Sequence, residues 1–222
     1  MKDSLRVIFD MDGVLVDNFS WHLLAWETFC NRHKKHISAD EFRKQVFGGN
    51  NPDHLRYIFG NDISDQQIEE YSLEKESIYR ELYTGNISPV KGLSSFLEEL
   101  RENNIPLAIA TSAERTNVDF ILEAIGCVGL FDQVVDSTMI TERKPNPEVF
   151  LKAAMLLKSK PEECIVFEDS LKGIEAGLRA RMKVVGVATT HYYAELTEAH
   201  KVISDFSDIT LKDLRKLVKK PI

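Results

Sequence analysis

Apolar positions along the chain change their period twice, and each change marks a boundary. Leu5, Val7, Ile8 and Phe9 form a run too short for a helix, which predicts a buried strand. From Asn18 the pattern turns helical and stays so for about 65 residues. Phe19 to Arg32 places Trp21, Leu24, Ala25 and Phe29 on one face, and Ser38-Ala39-Asp40-Glu41 is a capping box opening a helix through Phe47. A second box, Ser64-Asp65-Gln66-Gln67, opens a helix to about Tyr83. Between them lie a loop, Gly48-Gly49-Asn50-Asn51-Pro52, and a short helix around Leu55 to Phe59. This block holds no strand candidate, so it reads as a small helical domain inserted after the first strand.

Beyond the turn formers Gly85-Asn86-Ile87-Ser88-Pro89, helices and strands alternate. Helices are expected at Gly92 to Asn104, Asn117 to Ile125, Glu148 to Leu157, after Ser170, and at Leu211 to Val218. Strands are expected at Leu107 to Thr111, Val134 to Asp136, Cys164 to Phe167 and Val184 to Val187. Such alternation predicts right-handed β-α-β units and an α/β fold: a Rossmann-like parallel sheet core over residues 1–16 and 87–222, with an inserted α-helical domain over 17–86.

Composition narrows the setting. The chain has 222 residues, 43% of them hydrophobic and 28% charged, which suits an ordinary globular protein able to bury a full core. A net charge of −7 argues against a nucleic-acid or anionic-membrane partner. Cys30, Cys127 and Cys164 are scattered and form no C-x-x-C pair, so buried thiols in a reducing compartment are expected. The beginning of the chain lacks a signal-peptide core and no apolar run reaches membrane-span length, so a cytoplasmic location and a monomer are expected.

The chemistry concentrates where strands end. The first strand runs into Asp10-Met11-Asp12-Gly13, two carboxylates at the carboxyl edge of the sheet, where open α/β folds bind ligands. Two ionised carboxylates about 4 Å apart repel by roughly 4 kcal/mol at an effective dielectric of 20. A hard cation such as Mg²⁺ would offset that repulsion; the alternative is an Asp-rich turn in which Gly13 supplies a positive φ. Two other strands end in Thr111-Ser112 and Glu168-Asp169, on the same edge. Singly, each has an ordinary explanation: Thr111 as a strand-end hydroxyl, Lys144 as a surface cation, Glu168 and Asp169 as an acidic pair stabilised by a helix dipole.

Together, and in this order, Asp10-Met11-Asp12-Gly13-Val14-Leu15-Val16-Asp17, Thr111-Ser112, Lys144-Pro145 and Glu168-Asp169-Ser170 resemble the four motifs of the haloacid dehalogenase superfamily of phosphotransferases. The helical insertion is similar to that superfamily's helical cap, and Lys-Pro followed by Glu-Asp-Ser resembles its β-phosphoglucomutase-like group. The resemblance implies that Asp10 is the nucleophile, forming an aspartyl-phosphate, and that Asp12 is the acid and base. It implies Mg²⁺ held by Asp10, the Asp12 carbonyl and Asp169, with Glu168 as a further or water-mediated ligand, and phosphoryl oxygens held by Thr111, Ser112 and Lys144.

The activity so implied is a Mg²⁺-dependent phosphatase acting on a small phosphorylated metabolite such as a sugar phosphate. The alternatives are a β-phosphoglucomutase and a non-catalytic sensor of a phosphorylated ligand. Within the helical insertion, His22 matches a histidine of the β-phosphoglucomutase-like pattern, or else is a packed hinge-side residue. Lys75, between Glu74 and Glu76, reads as a cation for a distal phosphate or as a solvated helix face. Asn51 stands where the mutase pattern carries an arginine for a second phosphate, which favours the phosphatase, although Arg56 is a possible substitute cation. His33-Lys34-Lys35-His36 reads as a solvated helix end, and Gly173 and Gly177 read as close helix–sheet packing. Lys216, Lys219 and Lys220 suit a helix C-terminus.

Overall fold

The computed structural model describes residues 4–42 and 50–218. The end of the helix expected through Phe47, Gly48 and Gly49 of the loop, and Lys219 and Lys220 lie outside the described residues. The chain divides into two compact units, Met1–Asp17 with Ser88–Ile222, and Asn18–Ile87.

The first unit is built on a six-stranded sheet: β1 (Arg6–Phe9), β2 (Leu107–Ala110), β3 (Gln133–Val135), β4 (Cys164–Glu168), β5 (Lys183–Val187) and β6 (Lys201–Ile203), in the order β3-β2-β1-β4-β5-β6. All five pairings are parallel. After β3 the chain returns to the other side of β1, so β1 and β4 flank the point where strand order reverses, the crevice that binds ligands in such sheets. The helices of this unit are α5 (Leu93–Glu102), α6 (Arg115–Ala124), α7 (Glu148–Leu156), α8 (Leu171–Arg179) and α9 (Leu211–Val218); the helices of the other unit are α1 to α4.

Strand alternation gives the sheet two packed faces. Phe9 and Phe167, adjacent across the β1–β4 pair, stack with centroids 5.0 Å apart, and Phe96 and Phe206 close over Phe167 at 5.6 and 5.3 Å. On the opposite face Ile8, Ala108, Val166 and Val184 pack with Val149, Phe150 and Ala153 of α7 and Ile174 of α8. Gly177 is required there, because a Cβ would lie 2.7 Å from Val184 Cγ2. The three cysteines are free and buried, and burial pushes the Cys30 and Cys164 thiols up to about 11. They are therefore inert packing groups.

The second unit contains α1 (Phe19–Arg32), α2 (Ala39–Glu41), α3 (Asn51–Phe59) and α4 (Asp65–Tyr83). Both capping boxes form: Ser38 with Glu41 opens α2, and Ser64 with Gln67 opens α4. The core-facing stripe of α1 is Ala25, Trp26, Phe29 and Cys30, which meets Leu55, Ile78, Tyr79 and Tyr83 in a buried core. Two expectations are corrected. Leu24 is 41% exposed, because at 100° per residue it lies opposite the centre of that stripe. His33 is no solvated end: it packs on Phe29 and Tyr71, each 4.5 Å between centroids, and its Nε2 lies 2.8 Å from Glu74 Oε2. Among the described residues no helix is long and apolar enough to cross a membrane.

Candidate active site

Asp10 follows β1 directly, and its amide donates to the Phe167 carbonyl at 2.9 Å, which extends the sheet by one bond. The chain then turns tightly. Leu15 N donates to the Met11 carbonyl at 2.8 Å, Gly13 N to the Val16 carbonyl at 2.8 Å, and Asp12 bridges Val16. This turn keeps Asp12 half-buried and near enough to Asp10 to raise its pKa. Gly13 has a φ of 74°, and a Cβ on it would lie 2.0 Å from Asp169 Oδ2. Both the backbone conformation and the close approach demand glycine.

Carboxylate oxygens of Asp10, Glu168 and Asp169 all lie within 4.8 Å of one another, and all three residues are buried. Lys144 Nζ sits against two of them, donating to Asp10 Oδ1 at 2.9 Å and to Glu168 Oε1 at 2.7 Å, over the Phe150 ring at 4.8 Å. Glu168 is fully engaged: its Oε2 accepts from Ser170 N at 2.7 Å and from Ser170 Oγ at 2.9 Å. Ser170 in turn caps α8 by accepting from Gly173 N. Asp169 Oδ2 is buried with no donor in hydrogen-bond geometry among the described residues.

Three carboxylates face one ammonium, and the pKa directions follow from that count. Desolvation raises Asp10 to about 7, with Lys144 pulling it down and Glu168 and Asp12 pushing it further up. Asp169 is raised well above the ordinary carboxylate range by desolvation, then by Glu168 and Asp10. For Lys144, burial pushes the ammonium pKa down, but Asp10 and Glu168 outweigh it and the net shift is upward. The site holds a permanent cation and is still short of positive charge. An all-oxygen donor set, an excess of buried carboxylate and a bare Asp169 oxygen fit a hard divalent cation such as Mg²⁺.

Thr111 is buried one residue beyond β2, where its Oγ1 accepts from Ala113 N at 3.0 Å; Ser112, next to it, is half-buried. The strand-end residues singled out from sequence therefore share the carboxyl edge of one sheet.

The other candidates gather in the helical unit. Lys75 is only 2% exposed, which overturns its reading as a solvated face. Its Nζ donates to Glu76 Oε1 at 2.8 Å, lies 3.2 Å from His22 Nδ1, and sits over the Trp26 and Tyr79 rings at 5.3 and 5.6 Å. Asn51 Nδ2 donates to the same Glu76 oxygen at 2.8 Å, and His22 stacks on Tyr79 with centroids 4.0 Å apart. Burial would raise the Glu76 carboxyl, but Lys75 and His22 outweigh it and hold it at about 2. Arg56 reaches Asp65 at 3.4 Å on the surface.

The family of haloacid dehalogenase-like hydrolases matches residues 7–187. The chain belongs to this family. It is 31% identical over 214 residues to the chloroplastic 5-amino-6-(5-phospho-D-ribitylamino)uracil phosphatase of Arabidopsis thaliana, an alignment covering 96% of this chain and 57% of that longer protein. It is 29% identical over 223 residues to the β-phosphoglucomutase of Bacillus subtilis, covering 95% of this chain and 93% of the relative. In three dimensions it is similar to a haloacid dehalogenase hydrolase of family IA, variant 3, from Entamoeba histolytica, with a TM-score of 0.89, 30% identity, and coverage of 97% and 100%. The chain is thus a haloacid dehalogenase-type enzyme of the β-phosphoglucomutase-like group, among relatives that act on small phosphorylated metabolites.

Two features of this haloacid dehalogenase-like site were not anticipated. Gly173 serves the site as well as the packing, because a Cβ there would lie 1.7 Å from Glu168 Oε1. The segment Thr189-Thr190-His191, just past β5, reaches back over the site: Thr189 Oγ1 donates to the Gly13 carbonyl, the buried Thr190 hydroxyl oxygen lies 2.9 Å from where a Gly13 Cβ would be, and His191 Nδ1 lies 3.1 Å from the Asp169 carbonyl oxygen. No charged residue marks that segment. The available signal was its place, directly after a strand that ends on the same sheet edge as Asp10 and Glu168.

Proposed function

We propose that the protein is a Mg²⁺-dependent phosphatase that hydrolyses a small phosphorylated metabolite of the sugar-phosphate class through an aspartyl-phosphate intermediate. The observation that carries this reading is Lys144 Nζ held within hydrogen-bond distance of both Asp10 and Glu168 beside the unsatisfied Asp169 carboxylate. Asp10 Oδ attacks phosphorus in line, forming the O–P bond as the bond to the substrate oxygen breaks. Asp12 gives that leaving oxygen a proton, then takes one from water, which attacks the aspartyl-phosphate, releases inorganic phosphate and restores Asp10. Lys144 and the Thr111 hydroxyl, with Ser112, hold the equatorial oxygens as their charge shifts. Asp10, the Asp12 carbonyl and Asp169 would hold Mg²⁺, with Glu168 completing the acidic set and orienting Lys144. When bound, the metal would neutralise phosphate charge and favour the ionised, nucleophilic form of Asp10.

The helical unit is proposed to be the cap that selects the substrate. Similarity to a β-phosphoglucomutase keeps a second reading, interconversion of β-glucose 1-phosphate and glucose 6-phosphate. Such a mutase must hold a second phosphate. Here Lys75 is neutralised by Glu76, Arg56 is engaged with Asp65, and Asn51 is uncharged, which supports the phosphatase.

A ³¹P NMR time course with Mg²⁺, β-glucose 1-phosphate and a trace of glucose 1,6-bisphosphate separates the two. Conversion to glucose 6-phosphate overturns the phosphatase reading in favour of the mutase; release of inorganic phosphate supports it. Hydrolysis of an aryl phosphate, abolished by EDTA and by Asp10→Asn, is expected in either case. Turnover that survives Asp10→Asn refutes the aspartyl-phosphate, and no turnover on any phosphate ester leaves the sensor.

A further inference from the structure

Lys144 reaches its carboxylates from the middle of a loop, residues 140–147, and the helix that follows holds this loop at several points. The Thr141 amide donates to both oxygens of Glu148, at 3.1 Å each, and the Glu142 amide donates to Glu148 Oε2 at 2.6 Å. Glu148 is the first residue of α7, so a helix residue beyond Lys144 grips the backbone just before it. The Glu142 and Thr141 amides hold the Glu148 carboxyl below the ordinary carboxylate range, and it is ionised at neutral pH. Inside the ring so closed, Asn146 N donates to the Arg143 carbonyl at 2.8 Å and Glu148 N donates to Asn146 Oδ1 at 3.0 Å. One turn further along α7, Lys152 Nζ donates to the Met139 carbonyl, where the loop begins. The same helix carries Phe150, whose ring centroid lies 4.8 Å from Lys144 Nζ.

We propose that Glu148 is a positioning residue for Lys144: by tying the Thr141 and Glu142 amides to the start of α7, it fixes where the Lys144 backbone sits and so where the ammonium meets Asp10 and Glu168. This rests on the reading of Lys144 as the cation that holds the phosphoryl oxygens. Lysine is a poor anchor by itself. Its four-carbon stem is flexible, yet the ammonium must lie 2.9 Å from Asp10 Oδ1 and 2.7 Å from Glu168 Oε1 at once. A loop shift of about 1 Å breaks one contact or the other, and misplacement on that scale costs about 10²-fold in rate. Position is at stake here more than stability. Thr141 and Glu142 are exposed, so water takes over their amides when the carboxylate is removed, and the net loss of stability is small. What the carboxylate adds is the choice of one loop conformation among many that water would serve as well. The competing account is that Glu148 merely places a negative charge at the N-terminus of α7.

Glu148→Asp and Glu148→Gln separate the two accounts. Asp keeps the charge at the helix start but falls short by one methylene; Gln keeps the reach, and one oxygen suffices because Oε2 alone accepts from both amides. Glu148→Asp is expected to lower kcat for aryl-phosphate hydrolysis at saturating Mg²⁺ by about 10-fold or more, with KM changed less than about 3-fold and the thermal midpoint less than about 4 °C. Glu148→Gln is expected to lose less than about 3-fold in kcat. In a Lys144→Met background, Glu148→Asp should lower kcat by less than about 2-fold further, because the ammonium it positions is gone. If Glu148→Asp does not fold, Glu148→Ala takes its place, with the Lys144→Met background deciding. Wild-type kcat in the folded variant, the reverse ranking of Asp and Gln, or a full additional loss on top of Lys144→Met overturns the positioning role while leaving the reading of Lys144 intact. A Lys144→Met protein as active as wild type, or a wild-type protein inactive on aryl phosphates, overturns that reading and the role of Glu148 with it.

Discussion

Replacing Glu76 by Gln keeps the shape and the acceptor oxygen of the side chain and removes only its charge. The cost can be worked out in two ways. The Glu76 carboxyl is held at about 2 against an ordinary 4.5; at about 1.4 kcal/mol per unit this is about 3 kcal/mol of stability at neutral pH. Alternatively, removing one partner of a buried ion pair costs about 3–5 kcal/mol, because the other charge is left without compensation. The lower end applies here, since Lys75 keeps the faces of Trp26 and Tyr79, a desolvated cation–π contact worth about 2 kcal/mol. The assay is urea unfolding followed by tryptophan fluorescence, which reports on the right unit because both tryptophans, Trp21 and Trp26, lie within Asn18–Ile87. The sign of the pH dependence is fixed: a depressed carboxyl contributes its stability above 4.5 and loses it as pH falls through about 2. The gap between wild type and Glu76→Gln should therefore be full at pH 7 and shrink below pH 4.5, and the double variant Lys75→Met/Glu76→Gln should recover more than half of it. A Glu76→Gln protein within about 1 kcal/mol of wild type at pH 7 refutes the reasoning.

Lys144→Met, in which an apolar side chain of similar length replaces the ammonium over the Phe150 ring, should fold but lower kcat for aryl-phosphate hydrolysis by about 10²–10³-fold at saturating Mg²⁺, as measured in steady state. Gly13→Ala forces an L residue to a φ of 74° and a methyl group into the Asp169 carboxylate. It should cost on the order of 1–3 kcal/mol in thermal unfolding and abolish Mg²⁺ binding by calorimetry.

How far the sequence could be read depended on how local each signal was. Helix α1 is bounded as its pattern predicts, and α4 begins where Ser64 and Gln67 cap it, because caps and periodicity are short-range properties. Helix α3 starts at Asn51, earlier than the Leu55 expected from apolar residues; Asn50 accepts from Asp53 N with Pro52 in the first turn, a start signal that was present and outweighed by the loop-like glycines before it. Strand β6 was missed because it is three residues long at the sheet edge, with only Ile203 fully buried. Lys75 was misjudged for a different reason. Adjacent helical residues point about 100° apart, so a Lys75–Glu76 bridge is not a pairing that helix-face reasoning contains; it exists because α1 supplies His22 and Trp26 around the ammonium. Asp10, Thr111, Glu168 and Asp169 were legible because parallel topology sends every strand end to one edge, whereas Thr190 carries no charge to single it out.

The two polar clusters make the same residue types do opposite things. In the helical unit one ammonium meets one carboxylate, both are buried, and the carboxyl falls to about 2: the pair is closed, and its contribution is to hold α1, α3 and α4 together. In the sheet unit one ammonium meets three buried carboxylates, and Asp10 rises to about 7 in spite of it. Burial alone does not separate these cases, since both are nearly dry; the number of opposing charges within reach does. A closed pair gains nothing from a further ion, whereas an open one gains the whole of its unpaired repulsion when a cation arrives. Where a fold leaves buried charge uncompensated at its topological switch point, a ligand of opposite charge fits the gap, and here the all-oxygen donor set fits a hard cation.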